Sequence, residues 1–393
     1  MKDVYASVRA VGMDVHSKFS AVTMRDARGR IIRRERLNHR DRSALREVLS
    51  HWPAEVPMVL EASFGWGWLA DLMVELGLNP QLSNCYKLEQ MRKARGLAKT
   101  NKKDADLLSL LPFEAEAWWK VWMAPPEVRD LRERMRYRSS LVGVQTETKN
   151  RISALLHRHG ILHGFSDLFG ARGRGFLMEL RRRGGTAEVV LAEGARGALG
   201  GLLELLGHLR EQLARVGREL HGQLERNVLA QRLDRIPGIG LILAHTMMAE
   251  IGRMGRFRNH RALASYSLLG PIADETGEQE GRKPLGRHLG HRGNRTLKWA
   301  FLEAAHGAVR KGGKWRRLFD SVTEGGTKNR NDGYIKVARE LVTVVYVVWK
   351  KEVDYTDCPP PRPGSSAGRR ARALAAETRS GTGQPYLPMV AVR

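Results

Sequence analysis

The sequence predicts a mixed α/β region in its first third, followed by a region built mainly of helices. Two observations predict this division. Short apolar runs bounded by turn residues fill the first part of the chain, and apolar residues at helical spacing dominate from about Glu127 onward. With 393 residues the chain is long enough for two or three domains, each burying its own core.

The first region begins with strands. Residues 8–37 predict an antiparallel meander, because alternating apolar positions flank turn residues at 26–29. Residues 56–61 form a short apolar run that ends in the carboxylate of Glu61, a pattern typical of a buried central strand. A loop of glycines and aromatic residues, 64–68, and a helix follow, so this region is predicted to be α/β.

Long basic helices are predicted next. Leucines and a valine between residues 202 and 220 recur at alternating spacings of four and three, as in a coiled coil. Residues 171–185 are rich in Gly and Arg and predict a flexible connection or an extended basic segment instead of a packed element. The expected regions are an α/β domain at 8–125, a helical coiled-coil linker at 127–230, a mainly helical domain at 231–355 and a basic disordered tail at 356–393.

The charge of the chain indicates a polyanionic partner. Lys and Arg number 67 against 42 Asp and Glu, a net charge of +25. The basic residues are spread along the chain and not gathered on one amphipathic helix, which favours nucleic acid over a membrane surface. The apolar run 341–349 is too short to span a bilayer. With two cysteines and no CxxC, neither a disulfide framework nor a zinc site is predicted.

Three acidic residues suggest a metal site. Asp14 lies inside the first predicted strand, Glu61 ends a later one, and Asp104 opens a helical stretch after the basic run 99–103. Phosphodiester chemistry uses carboxylates that converge on hard divalent cations. Spacing alone leaves a second interpretation open, because acids at strand ends and helix starts are often surface or capping residues.

Three motifs in this order resemble the RuvC-like block of the insertion-sequence one-ten family transposases, which include site-specific pilin-gene invertases. They are GMDVHSK at 12–18, LEA at 60–62 and KTNKKDA at 99–105. The resemblance covers roughly residues 8–350. It continues through the segments 131–152, 236–240, 256–257, 276–277 and 293–297.

The resemblance implies an RNase H-like domain with an Asp-Glu-Asp-Asp metal site and a C-terminal transposase domain with a nucleophilic serine. Its metal ligands fall on Asp14, Glu61 and Asp104, and its remaining Asp falls on Asn101, which can share a helix face with Asp104. An amide brings no negative charge, so a second ion should be held more weakly. Asp106 points elsewhere on a helix and is a poor substitute.

The family's serine falls on Thr276. A threonine keeps the hydroxyl needed for attack on phosphorus, and the neighbouring Gly277 and Gly281 leave the backbone free to approach DNA. Ser265 and Ser267 are alternative hydroxyls, but they lie in an apolar stretch and are expected to pack or bond locally. The resemblance therefore implies Thr276 as the nucleophile, whereas the residues alone describe it as a turn residue.

Further segments suggest contacts with nucleic acid. Residues 236–240, with Gly238 and Gly240, resemble a helix-hairpin-helix turn that offers backbone N–H groups to a phosphate; a plain interhelical turn explains them equally well. Trp66 and Trp68 could stack on bases, although core packing is favoured. A basic stretch apt for gripping phosphates includes Arg282, Lys283, Arg287, Arg292, Arg295 and Lys298.

These observations predict a transposase or site-specific recombinase of an insertion sequence that cuts and rejoins double-stranded DNA with Mg²⁺ or Mn²⁺. The resemblance also implies guidance by a noncoding bridge RNA and a homo-oligomer, dimer or tetramer. We expect a location in the prokaryotic cytoplasm, at the nucleoid, and no membrane partner. Two alternatives are a RuvC-like nuclease for branched DNA and a degenerate copy that only binds nucleic acid.

Overall fold

The computed structural model describes residues 5–98, 100–186, 189–270 and 293–356. Contacts divide the chain into two compact units, Met1–Pro126 and Glu127–Arg393. Four predicted features lie outside the described residues: Thr276, Gly277 with Gly281, most of the basic stretch (Arg282, Lys283, Arg287 and Arg292), and the tail after Thr356.

A mixed sheet forms the centre of the first unit, as the alternating apolar runs predicted. In the described residues its strands lie in the order β3-β2-β1-β4-β5-β6. The first three strands pair antiparallel, β4 and β5 continue from β1 in parallel, and β6 is antiparallel to β5. The strands are β1 (Ala10–Val15), β2 (Phe19–Arg25), β3 (Ile31–Asn38), β4 (Pro57–Glu61), β5 (Asn79–Ser83) and β6 (Lys120–Val121).

Four helices cover this sheet: α1 (Arg42–Ser50), α2 (Trp66–Glu75), α3 (Cys85–Ala94) and α4 (Asn101–Leu108). Side-chain oxygens cap three of them, from Asp41, Asn84 and Thr100, and satisfy N–H groups that the first helical turn leaves without a partner. Residues on the two faces of the sheet enter different cores. Met13 and Leu60 face one core, and Val59 faces the other, with leucines of α3 and α4.

The second unit is helical in its described part, as the spacing of apolar residues predicted. Its helices are α5 (Pro126–Arg158), α6 (Ala171–Arg183), α7 (Glu193–Arg226), α8 (Val228–Asp234), α9 (Leu241–Ile251), α10 (His260–Tyr266), α11 (Arg295–Lys311), α12 (Gly313–Thr323) and α13 (Arg330–Lys351). One core joins α5, α6 and α7 through residues such as Ile152, Leu177 and Leu199. A larger core joins α8 to α13 around Phe301.

The prediction for residues 171–185 is wrong, because most of this segment is the packed helix α6. Leu177 and Leu180 are buried against α7, and an added Cβ at Gly173 would lie 2.1 Å from the carbonyl oxygen of Leu168. Gly173, one of the glycines that suggested flexibility, instead allows the helix to pack closely on the preceding loop, because it has no Cβ. Gly184, at φ 78°, then ends the helix in the left-handed conformation.

The apolar run at 341–349 lies within α13. Leu341, Val342, Val345 and Val348 are buried in the larger core. None of the helices in the described ranges combines the length and the apolar character needed to cross a membrane.

Candidate functional site

Asp14 and Glu61 lie beside each other at the carboxyl ends of two parallel strands. β1 and β4 pair with Met13 opposite Leu60, so the next residues along the two strands, Asp14 and Glu61, occupy neighbouring positions. Side chains at neighbouring positions of parallel strands point to the same face. That face is the one that α4 covers, because Gly12 lies two residues before Asp14 and contacts α4.

Helix α4 runs antiparallel to β1 and brings its first turn toward Asp14. An added Cβ at Gly12 would lie 2.3 Å from the Ala105 carbonyl oxygen and 2.2 Å from the Ser109 N. Ser109 also accepts a hydrogen bond from Arg25, which pairs with Ala10 at the start of β1. The end of α4 therefore lies at the start of β1, and its beginning lies at the end of β1.

The face of α4 that carries Asp104 is turned toward β4. Asp106 accepts hydrogen bonds from Thr23 at 2.7 Å and from Arg34, so that flank of α4 faces β2 and β3. Asp104 lies two residues earlier, about 200° around the helix axis. Since β2 and β4 flank β1 on opposite sides, Asp104 is placed on the flank that carries Glu61.

Asn101 is the first residue of α4 and is exposed. It lies one turn before Ala105, on the helix face that contains Asp104. Thr100 caps the helix by accepting a hydrogen bond from the Lys103 N at 3.3 Å. Asp14 and Glu61 thus end neighbouring strands, and Asn101 and Asp104 lie in the first turn of the helix that packs on the same face of the sheet.

Two neighbours of these carboxylates were missed in the sequence. His16 Nε2 lies 3.0 Å from an Asp14 carboxylate oxygen, and the His16 ring packs on Phe19. The period of two was the available signal, since residues 14 and 16 share a face of an extended chain. Cys85, the first residue of α3, forms a hydrogen bond with Glu61. Cys85 follows Ser83 by two residues, and Ser83 lies opposite Glu61 in the sheet.

The surroundings of Cys85, Glu61 among them, change the acidity of its thiol. Burial, the negative charge of Glu61 and the hydrogen bond to Glu61 raise the pKa of the thiol to about 11. Thiolate is the reactive form of cysteine, so Cys85 is expected to be a poor nucleophile near neutral pH.

Alkylation of Cys85 by iodoacetamide at pH 8 should therefore be on the order of a hundredfold slower in the folded protein than in a denatured sample. Mass spectrometry of the modified peptide in a Cys358→Ser background measures both rates. Equal rates in the folded and denatured samples would show that Glu61 and burial do not act on this thiol.

The carboxylates suit a hard divalent cation by their chemistry. Asp14 and Glu61 end neighbouring strands on one face of the sheet, and carboxylate oxygens like theirs and those of Asp104 are the ligands that such a cation prefers. Asp14 is engaged with His16, and Glu61 with Cys85. Over the ranges that the structure describes, no group of three or more His, Cys, Asp and Glu side chains is gathered as a metal site.

Trp66 and Trp68 pack against the sheet core. Trp68 makes an edge contact with His39 at 4.9 Å between ring centroids, and the Arg42 guanidinium lies 3.5 Å from the centre of the Trp68 ring. The core-packing interpretation therefore describes Trp68 better than base stacking does.

Residues 236–240 form the turn between α8 and α9. Gly238, at φ 87°, packs so tightly on α11 that an added Cβ would lie 2.0 Å from the Ala304 carbonyl oxygen. Gly240 is exposed, caps the start of α9 and has open space around its Cα. The close packing explains why residue 238 is glycine, and Gly240 is the part of the turn that is open to a ligand.

Arg295 and Lys298 lie in the first turn of α11. Arg295 is exposed and Lys298 is half-buried. Asn294 caps this helix by accepting a hydrogen bond from the Leu297 N at 2.8 Å. The first turn of a helix combines free N–H groups with a positive dipole end, and the added cations suit a phosphate.

A buried acid holds this helix start in place. Glu250, 5% exposed, accepts a hydrogen bond from the Asn294 side chain at 2.6 Å. Arg132 and Arg256 donate to the backbone carbonyls of Ala249 and Glu250. Burial lowers the pKa of Arg132 from its ordinary value. A charged residue inside the apolar run of α9 was the available signal for this network.

Comparison with known proteins matches both regions of the chain to one family. Residues 11–161 match the model of the DEDD transposases of IS110 elements, and residues 230–320 match the transposase model of the IS116/IS110/IS902 family. Together the two matches cover more than half of the chain. The protein belongs to the IS110 family of transposases.

Several curated proteins are similar to this chain. A probable family 20 transposase of Pseudomonas aeruginosa is 29% identical over 182 residues, 44% of this chain and 49% of that protein. The transposase of insertion sequence element IS1111A of Coxiella burnetii is 27% identical over 47% of this chain and 48% of its own length. A 44.8 kDa protein of insertion element IS116 of Streptomyces clavuligerus is 25% identical over 39% and 37%. The chain thus spans less than half the length of these relatives.

Proposed function

We propose that the protein is a transposase or site-specific recombinase of an insertion sequence, whose first unit is an RNase H-like domain. The observation that carries this proposal is the placement of Asp14 and Glu61 on neighbouring parallel strands with the Asp104 flank of α4 turned toward them. The sheet supports it as well, with three antiparallel strands continued by two parallel ones.

In this proposal Asp14, Glu61 and Asp104 would hold Mg²⁺ or Mn²⁺, with Asn101 as a neutral fourth ligand. Such an ion supplies charge stabilisation for the attacking and leaving oxygens of a phosphodiester. His16 orients the carboxylate of Asp14 through the contact at 3.0 Å. Thr276 supplies the hydroxyl that attacks phosphorus and displaces the leaving oxygen, forming a protein-DNA ester.

The second unit would grip double-stranded DNA at two helix starts. Gly240 opens α9, and Arg295 and Lys298 stand at the start of α11, next to the basic residues Arg282, Lys283, Arg287 and Arg292 in the sequence. Both helix starts offer backbone N–H groups to phosphate oxygens. These contacts would fix the DNA without reading its sequence.

Sequence choice would come from a noncoding bridge RNA, and the active form would be a homo-oligomer at the nucleoid. We infer both from the family resemblance, and the net charge of +25 suits two nucleic acids in one complex. Base pairing by the RNA would leave no sequence-reading motif in the protein.

Trapping a covalent adduct tests this function. The full chain is incubated with element-end DNA and its flanking noncoding RNA in Mg²⁺, then denatured and analysed for a protein-DNA species. A recombinase forms the adduct, whereas a RuvC-like nuclease cuts branched DNA without one and a binding-only copy does neither. If branched DNA is cleaved and no adduct forms, the proposal is overturned in favour of the nuclease.

Binding to DNA should depend steeply on salt. A surface with this excess of Lys and Arg neutralises several phosphates, and each releases counterions. A plot of log affinity against log salt is expected to have a slope of about −4 or steeper. Fluorescence anisotropy with a labelled duplex at four salt concentrations gives the slope, and a nearly flat line would contradict a phosphate-based grip.

Asn101→Asp should lower the Mg²⁺ concentration needed for half-maximal cleavage. The substitution adds a charge beside Asp104 with almost no change in shape, and hard cations gain affinity from ligand charge. Asn79→Asp adds the same charge at the opposite end of β5 and is the matched control. An unchanged midpoint for Asn101→Asp would show that Asn101 is not a ligand, or that the new carboxylate pairs with Lys102 or Lys103.

A further inference from the structure

The side chain of Phe64 is exposed to solvent. It is 99% exposed, whereas Phe113, another phenylalanine of the first unit, is 41% exposed. Exposure of an apolar ring to water is unfavourable, so a partner that covers the Phe64 ring would gain binding free energy from the contact. The next residue, Gly65, adopts φ 89° and is the N-cap of α2.

The position of Phe64 ties it to the candidate active site. Phe64 follows Glu61 by three residues, and Tyr86 follows Ser83, the sheet partner of Glu61, by three residues. Tyr86 is 42% exposed. Between them, Cys85 contacts Glu61. Two exposed aromatic residues therefore follow, at the same separation, the ends of two neighbouring strands, one of which ends in Glu61.

The chemistry of the surroundings favours a nucleobase as the partner. A protein partner would need a contiguous apolar patch, but Ser63 and Gly65 flank Phe64, and exposed lysines such as Lys102 stand at the same edge of the sheet. Aromatic rings interleaved with cations are the usual arrangement for unpaired nucleic acid, since every base has a π-face.

We propose that Phe64, with Tyr86 beside it, stacks on an unpaired base of the DNA strand whose phosphate lies at Glu61. The stack would hold that strand open at the site of cleavage and fix the phosphate against the carboxylates. This inference rests on the proposed function, and it adds a base-binding surface to the metal-binding edge.

Binding to a single-stranded oligonucleotide with one 2-aminopurine tests the proposal. Stacking quenches the fluorescence of this base. Phe64→Ala is expected to weaken binding on the order of tenfold and to remove the quench, whereas Phe64→Trp should retain both. Phe64→Leu keeps an apolar side chain without a π-face and should behave like alanine. Phe113→Ala, which follows the far end of α4, is the matched control and should bind as the wild type does.

Salt dependence separates stacking from charge, and thermal unfolding of each variant separates a lost contact from a lost fold. Phe64→Ala should lower affinity by the same factor at each salt concentration, because a neutral ring releases no counterions. Lys102→Gln, if its ammonium contacts a phosphate, should reduce the slope by about 0.7. Equal affinity and quench in the wild type and Phe64→Ala would overturn the base-stacking surface and leave the proposed function standing. No binding of the single-stranded oligonucleotide by the wild type would also overturn the base-stacking surface, whereas the proposed function is tested separately by the covalent adduct with double-stranded DNA.

Discussion

Alanine at Asp14, Glu61 or Asp104 is expected to abolish DNA cleavage and joining, with losses on the order of a thousandfold or more. The loss follows because each substitution removes an oxygen ligand and a charge from the proposed cation site, and metal-ion stabilisation is worth several kcal/mol. Nucleic-acid binding should persist, because the phosphate contacts proposed above lie in the second unit and none of these three residues takes part in them. A strand-cleavage assay and anisotropy on the same samples measure both properties.

Glu75→Gln is the control for the loss of an acid. Glu75 is exposed and pairs with Arg46 at 2.9 Å, so its replacement should leave cleavage unchanged. Thermal unfolding of all four variants separates a lost ligand from a lost fold. Cleavage at the wild-type rate by Asp104→Ala would show that Asp104 is not a ligand and would contradict the proposed metal site.

Thr276→Ala should eliminate the covalent adduct and strand joining, because no hydroxyl remains to attack phosphorus. Thr276→Ser should keep or raise activity, since serine has the same hydroxyl without the crowding methyl group. Denaturing electrophoresis of the trapped species compares the three proteins. Persistence of the adduct in Thr276→Ala would assign the nucleophile elsewhere.

The structure already ranks the remaining hydroxyls. Ser267 is fully buried, and its hydroxyl donates to the Ala264 carbonyl at 3.1 Å, so it is poorly placed for attack. The hydroxyl of Tyr266, which accepts a hydrogen bond from the Asn294 side chain at 3.3 Å, would be tested next.

Local periodicity was enough to predict much of the fold. The alternation around Val11 and the apolar run before Glu61 predicted central strands, and both are buried in the sheet. The helical spacing beyond Glu127 predicted the long helices α5 and α7. These patterns are local, because each residue's face follows from its position in a strand or helix.

Long-range contacts were not predictable in this way. Gly173 suggested flexibility, yet its missing Cβ lets α6 pack on Leu168. The contact of Cys85 with Glu61 depends on the pairing of β4 with β5, which no local pattern specifies. The order of Asp14, Glu61 and Asp104 suggested one site only through the family resemblance, since spacing alone also suited surface acids.

Binding of Mn²⁺ to the full-length protein without DNA, measured by electron paramagnetic resonance, is a direct test of the proposed cation site. We expect the wild type and Glu75→Gln to bind the ion, Asp14→Ala and Asp104→Ala to bind it much more weakly, and Asn101→Asp to bind it more tightly. Equal binding by the wild type and the two alanine variants would contradict a cation site at the end of β1 and β4.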